Sequence, residues 1–520
     1  VNIVFIIADQ LRADHLGFSG NIGVKTPNID SLARTGTYFE NAFAANPVCM
    51  PNRSTILTGQ WPTTHGVRTN GLPLNPNAET FPELLRTQGW NTCAVGKLHF
   101  QPMGWPFEEF QQEEIQKAMP EAWEKAVENF GGDFVSAEDF LGHLKGEITV
   151  PENYYGFTDV TLAVGHGDHV SGDYPAWASS RGLVSEVMSG PENAAFNYLG
   201  WEQVYASSVP AELHPTTFVA ETAVEKIHQL NKQAQDFLLF VSFPDPHHPF
   251  SPPAEYFHRY DPADMVVPES FHDQHFESPD YIQRIVRKKG TPSPDPTMTW
   301  APTEEQFRAA LAAEMGSIEF IDDSVGKILN ALDEAGIREE TLIVLTSDHG
   351  DLFGDHGLML KHFSHYLGAI RVPLIFQGPG IKPQAVSHMV SSADIAPTIL
   401  DLIHALPLVD AQGQSLAPIC RGQTREQVRP AVLVEEEQPF GLEGLPGPVV
   451  IRTLISQDFR LTEFDTHDIT ELYDRKSDVF ELVNLSRDPQ MLGKLADARK
   501  LMIQAVMAQQ GTPPLPFHAA

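Results

Sequence analysis

Three short stretches place side chains where they can do chemistry together. Asp9-Gln10 and Asp348-His349 each follow an apolar run directly. Two carboxylates, an amide oxygen and an imidazole can hold a divalent cation. The mixed oxygen and nitrogen set leans toward Mn²⁺ or Ca²⁺, and Mg²⁺ also suits it. A single aspartate after a strand is most often a turn former or helix cap; adjacent pairs after two separate runs ask for more. The third stretch is Cys49-Met50-Pro51-Asn52-Arg53. Pro51 suits the first turn of a helix, whose free N–H groups and dipole attract anions. Arg53, one turn on, adds a permanent charge and a planar fork of donors. This stretch can bind a tetrahedral oxyanion and present a nucleophile to it.

These residues need a scaffold that gathers distant strand ends. "NIVFIIADQ", "NTCAVGKLH", "DFLLFVSFPDPHHPF" and "TLIVLTSDHGD" are short, apolar on both faces and closed by polar residues. That is the pattern of central strands in a covered parallel sheet. Helical periodicity lies between them, at 303–336 and 393–406. Alternating strands and helices predict an α/β fold, with ligands bound beyond the carboxyl ends of the strands. All four polar endings then face one crevice. Residues 100–235 are rich in Trp, Phe, Glu, Gly and Pro, and read as an insertion within a catalytic domain spanning 1–425, serving as a lid or an oligomer contact. From 426 to 520 the pattern predicts a smaller unit of antiparallel strands and a closing helix.

The chain has 520 residues and a net charge of −33, from 35 basic and 68 acidic side chains. Such acidity argues against nucleic-acid binding and requires any anion site to be strongly positive locally. Three cysteines, Cys49, Cys93 and Cys420, make neither a disulfide framework nor a zinc site. No apolar run is long enough for a transmembrane helix, and the first residues lack the features of a signal peptide. A cytoplasmic bacterial setting is the expectation, or a periplasmic one if a leader has been trimmed.

The Cys-x-Pro-x-Arg stretch, followed by "LTG", resembles the signature of the type I sulfatases. The resemblance extends to "GWNTCAVGKLH" (89–99), "DPHHPF" (245–250), "TSDHGDLFGDHGLMLKH" (346–362) and "ELYDRKSDVFELVNL" (471–485). It implies an alkaline-phosphatase-like fold: a large, mainly parallel mixed sheet flanked by helices, with a smaller C-terminal antiparallel sheet plus helix. It further implies that Cys49 is converted by a modifying enzyme to formylglycine. Hydration of that aldehyde gives two hydroxyls. One attacks sulfur or phosphorus, and loss of the proton from the other expels the sulfate.

Site roles follow from matching positions. The resemblance implies that Asp9, Gln10, Asp348 and His349 hold the metal, with the modified Cys49 completing the shell. Arg53 steadies the ionised diol. Lys97 and Lys361 bind the oxyanion, and Asn70 touches the sulfuryl group. His247 is expected to protonate the leaving group, with His248 as its competitor, and His99 to take the proton that triggers collapse. Asp351, Asp355 and His356 are expected as loop or supporting groups, His65 as structural and Cys93 as core.

Many sulfatases have aspartate where Gln10 stands and asparagine where His349 stands. The Gln and His pair is similar to phosphonate monoester hydrolases, whereas Lys97 and His99 keep the sulfatase form. The expected activity is hydrolysis of aryl or other small sulfate esters, extending to phosphonate monoesters and phosphodiesters. A phosphonate monoester hydrolase or phosphodiesterase is the alternative. A silent anion-binding scaffold with unmodified Cys49 is the reading from another class. A homodimer or tetramer is also expected.

Overall fold

The apolar runs form the middle of a nine-stranded sheet. The computed structural model describes residues 1–21, 23–104, 136–183, 188–233, 235–293, 297–465 and 467–509. The strands are β1 (Asn2–Ala8), β2 (Thr37–Phe43), β3 (Asn91–Gly96), β4 (Asp159–His166) and β5 (His169–Gly172). A two-stranded ribbon, β6 (Phe196–Asn197) with β7 (Tyr205–Ala206), stands apart. The large sheet continues with β8 (Phe237–Phe243), β9 (Thr341–Ser347), β10 (Leu374–Gln377) and β11 (Gln384–Ser391). Its order is β11-β2-β10-β9-β1-β8-β3-β4-β5.

β1 lies at the centre and pairs in parallel with both β8 and β9, while β3 pairs in parallel with β8 and β4. Five strands therefore end at the same edge, as the four polar endings require. β1 is buried on both faces. Val4, Ile6 and Ala8 join a core covered by the helices Pro215–Leu230 and Glu304–Glu334. Ile3, Phe5 and Ile7 face the opposite core, with Met50, Ile56 and Leu57 of the Cys49–Thr58 helix. Each fully buried aliphatic or aromatic side chain contributes about 1.5–3 kcal/mol, which anchors the strand ends. The long helix starts on a capping box between Thr303 and Gln306. The helix expected over 393–406 is shorter, Ile395–Leu402, preceded by a turn over Ser392–Asp394.

The segment 100–235 is not all insertion. β4 and β5 extend the large sheet, and the helix Pro215–Leu230 covers it. Threonine and glycine break the apolar pattern of "DVTLAVGH", which hides the strand from a reading of periodicity. Residues 105–135 of this segment lie outside the described residues.

The C-terminal sheet is antiparallel, in the order β12 (Ala431–Gln438), β13 (Val449–Ser456), β14 (Phe459–Phe464), β15 (Thr470–Asp474). One face carries Leu433, Leu454, Leu461 and Leu472 against the Leu492–Ala508 helix. The other packs Val432, Val434 and Ile451 against Leu358, Phe363 and Tyr366, which flank Lys361. No described helix is long and apolar enough to cross a membrane.

Candidate active site

Cys49 is the first residue of the Cys49–Thr58 helix, and the helix closes on left-handed Gly59. Val48 is extended and supplies no side-chain cap. Asn70 instead accepts a hydrogen bond from the Met50 N–H at 3.1 Å. This leaves Asn70, itself exposed, beside the helix mouth. Asn52 locks the same turn: its Oδ1 accepts from the Ala45 N–H at 2.9 Å, and its Nδ2 donates to the Asp348 carbonyl.

Asp9, Cys49, Asp348 and His349 bring one donor atom each to within 4.8 Å of one another, all buried. Cys49 Sγ lies 3.1 Å from His349 Nε2 and 3.7 Å from Asp9 Oδ1. His349 Nδ1 meets the Gly350 carbonyl at 2.7 Å. A carbonyl accepts only from N–H, so Nδ1 carries the proton and Nε2 keeps its lone pair for the centre. Gln10 sits at φ 62°, a left-handed turn that ends β1 abruptly and swings the amide inward. Its Nε2 donates to Asp351 Oδ2 at 2.7 Å, which aims Oε1 at Lys361 Nζ, 3.0 Å away. His99, Leu360 and His362 also have positive φ, at 55°, 68° and 85°. Such conformations cost of order 1–3 kcal/mol each and gather at functional sites.

Arg53 reaches the carboxylates rather than the sulfur. Its Nε donates to Asp348 Oδ2 at 2.7 Å and its Nη2 to Asp9 Oδ2 at 3.3 Å, while Nη1 donates to Ser242 Oγ and the Lys97 carbonyl. Lys361 Nζ touches Cys49 Sγ at 3.3 Å, and His247 Nε2 and His349 Nε2 at 3.0 Å each. Lys97 Nζ donates to Asp9 Oδ2 and, at 2.6 Å, to His166 Nε2. His247 Nδ1 meets the His248 carbonyl at 2.6 Å, which leaves its Nε2 facing Lys361. His248 turns aside, with Nδ1 3.2 Å from Gln10 Nε2. His99 is buried, its N–H donates to Glu138, and its Nδ1 has no partner.

Burial would raise the Asp9 carboxyl, but Lys97, Arg53 and Lys361 hold it well below the usual range. Burial, then Asp9, pushes the Cys49 thiol up to about 11. His349 is lowered to about 4 by burial and then Lys361. Burial and neighbouring cations also hold His99, His166, His247 and His248 well below the ordinary histidine value, so these rings are neutral. The donor set fits a divalent cation: two carboxylates, an imidazole and the Cys49 sulfur converge within 4.8 Å, and Lys361 Nζ, 3.0 Å from both His349 Nε2 and the Gln10 amide oxygen, ties that oxygen to the same place.

The structure thus gathers Asp9, Gln10, Cys49, Arg53, Lys97, His247, Asp348, His349 and Lys361, with His99 and Asn70 at the margin. His65 bonds Thr55, Asp355 pairs with Arg12, and His356 with Asp273. Cys93 and Cys420 are core residues. Three participants were not expected from sequence: His166, Asn52 and Ser242. His166 ends β4, as the other site residues follow their strands, and its ring stacks on His247 with centroids 3.7 Å apart. A polar residue closing an apolar run was the signal available.

The chain is similar to known proteins along nearly its whole length. The arylsulfatase of Clostridium perfringens is 25% identical, over 98% of this chain and 95% of its own length. The choline-sulfatase of Rhizobium meliloti is 26% identical, over 94% of this chain and 83% of its own. The crystal structure of the phosphonate monoester hydrolase of Agrobacterium radiobacter superposes with a TM-score of 0.75 at 24% identity, covering 98% of this chain and 96% of that one, a likeness of fold. A family model described as N-sulphoglucosamine sulphohydrolase, C-terminal, matches residues 354–508. The sulfatase family model matches residues 1–405, a span that holds every residue of the centre, and the chain belongs to the sulfatase family.

Proposed function

We propose that the chain is a metal-dependent sulfuric ester hydrolase acting on small sulfate esters through a formylglycine formed from Cys49, with phosphonate monoesters and phosphodiesters as further substrates. The observation that carries this reading is the seat of Cys49: a helix N-terminus, buried, among Asp9, Asp348 and His349.

Asp9, Gln10, Asp348 and His349 would hold Mn²⁺ or Ca²⁺, or Mg²⁺, which supplies Lewis acidity toward a hydroxyl at position 49. Arg53 keeps the two carboxylates in register and offsets their repulsion. Lys361 and Lys97 flank the place where an oxyanion must sit, and favour charge that develops there. His247 offers Nε2 to Lys361, so the pair holds one proton within reach of a departing alkoxide. His99, neutral and with Nδ1 unpaired, is our candidate for the group that accepts the proton of the second hydroxyl.

The neutral amide of Gln10 favours a second reading, phosphonate monoester or phosphodiester hydrolysis as the main activity. An amide in place of a carboxylate removes one negative charge from the centre, which tolerates a more anionic substrate. Two measurements test the proposal. The mass of the tryptic peptide spanning Cys49 should show an aldehyde in place of the thiol. Side-by-side kcat/KM values on an aryl sulfate and an aryl phosphonate should favour the sulfate; an intact thiol in active enzyme, or a preference for the phosphonate by orders of magnitude, overturns it.

A further inference from the structure

Beside the reaction centre lies a cavity of about 430 Å³, within the range of small-molecule sites. His248 and Leu360 line it; the first touches Gln10 and the second precedes Lys361. Its walls are Trp201, Phe250, Trp300 and Met359. The two indoles meet edge to face, centroids 5.2 Å apart.

Each wall is tied by backbone hydrogen bonds to a loop of the catalytic centre. Trp201 sits on the turn between β6 and β7, and the Phe250 N–H donates to the Gln203 carbonyl at 2.8 Å, while the Tyr205 N–H donates back to the Phe250 carbonyl. That joins the Trp201 turn to the loop carrying His247 and His248. On the opposite side Trp300 and Met359 exchange both backbone bonds, and Thr299 Oγ1 donates to the Lys361 carbonyl at 2.6 Å. The cavity is therefore built at a set distance from His247 and Lys361, the pair expected to meet the leaving group.

Its charge is equally telling. Among the described residues no lysine or arginine lines it, and the one ionisable carboxylate is Glu202, exposed on the Trp201 turn. A leaving group with its own carboxylate or a second sulfate would meet Glu202 and a chain of net charge −33, with no cation to receive it. Flat indole, phenyl and thioether surfaces instead favour an uncharged ring.

We propose that this cavity is the leaving-group subsite and that it takes an uncharged, ring-sized apolar alcohol, a phenol above all, in preference to an acidic saccharide. The inference rests on the ester-hydrolase reading and names its substrate class.

The test compares para-nitrophenyl sulfate, methyl sulfate and a disulfated hexosamine on the holoenzyme. Wild type should prefer the aryl ester. Trp201→Ala should lower kcat/KM for para-nitrophenyl sulfate at least about tenfold more than for methyl sulfate, chiefly through KM, and Trp201→Phe should restore most of it. Glu202→Lys should narrow the gap to the disulfated sugar. Equal losses on aryl and methyl esters in Trp201→Ala, or a wild-type preference for the disulfated sugar, overturns the subsite. Calorimetric binding of para-nitrophenol separates this result from the parent reading. If wild type cleaves no ester but binds the phenol, and Trp201→Ala weakens that binding, the subsite stands and the hydrolase reading falls. Phenol binding unchanged by Trp201→Ala removes the subsite alone.

Discussion

Gln10 Nε2 donates to Asp351 Oδ2 at 2.7 Å, and this bond, with Lys361 Nζ on Oε1 and His248 Nδ1 beside Nε2, sets which end of the amide faces the centre. Asp351 Oδ1 is already committed to the N–H groups of Phe353 and Leu360. In Asp351→Asn the oxygen must stay with those two donors, so the new NH₂ confronts the NH₂ of Gln10. The Gln10 amide then flips and presents hydrogen to the cation. We expect metal affinity to fall about 10–100-fold, read by titrating metal into chelator-stripped protein. Metal affinity unchanged in Asp351→Asn would mean that Gln10 is not a ligand.

His166 receives the hydrogen bond of Lys97 and covers the ring of His247. His166→Ala should release Lys97 and lower kcat about tenfold, with metal content unchanged. His166→Gln, whose oxygen can accept from Lys97, should recover part of the loss. Steady-state kinetics with metal analysis on the three proteins decides it; a change in KM alone would assign His166 to substrate binding.

A buried pair behind the site sets a pH signature. His214 caps the Pro215–Leu230 helix by accepting from the Thr216 N–H, and its Nδ1 lies 3.8 Å from Asp245 Oδ2. Burial lowers His214 to about 3 and raises Asp245 to about 7. The unfolded chain protonates the histidine first, so His214 contributes stability that is lost as pH falls from its ordinary value toward about 3. The folded chain keeps the proton on Asp245 longer, so that term is lost as pH rises from the ordinary carboxyl value through about 7. Each is worth at most about 4–5 kcal/mol, and the slopes oppose one another. His214→Asn keeps the cap and should unmask a stability that falls with rising pH; Asp245→Asn should unmask the reverse. Urea midpoints across the acid range would show both, and parallel profiles for the two variants would refute the pairing.

Glu436 on β12 accepts from His362 Nδ1 at 3.1 Å, the Phe363 N–H at 3.0 Å and His365 Nε2 at 2.9 Å. Burial would raise its carboxyl, yet the two histidines hold it well below the usual range. Glu436→Ala takes this acceptor from four buried donors, Gln438 Nε2 at 2.8 Å being the fourth, and should cost about 3–5 kcal/mol. It should also lower kcat, because the loop they brace carries Lys361. Denaturation midpoints and turnover measured on the same sample check the coupling; a fall in stability with full turnover would limit Glu436 to the fold.

Much of this centre was legible in the sequence because parallel strands repeat one grammar. β1, β8 and β9 are mostly apolar runs, and β3 is a shorter one; each stops just before the polar residue it delivers, and the Cys-Pro-Arg spacing announces a helix mouth. Where the pattern is diluted the reading fails. β4 carries threonine, glycine and an initial aspartate, so it passed for insertion and took His166 with it. Asp351 looks like any loop carboxylate until the Gln10 amide is seen against it. Arg53 was expected to steady the group at position 49, and the spacing along a helix cannot say that it also ties two aspartates from other strands. The Trp201–Trp300 cavity joins residues a hundred positions apart, which no local pattern reveals.

The embrace of the Lys361 loop by β12 has a consequence for how this molecule can be divided. A nick or premature stop in the stretch between Leu408 and Ala431 would not liberate a leaner hydrolase. It would strip the lysine's loop of its bracing and bare Leu358, Phe363 and Tyr366 to water. The terminal sheet is accordingly a working part of the reaction chamber, and the two halves of the polypeptide must rise or fall together.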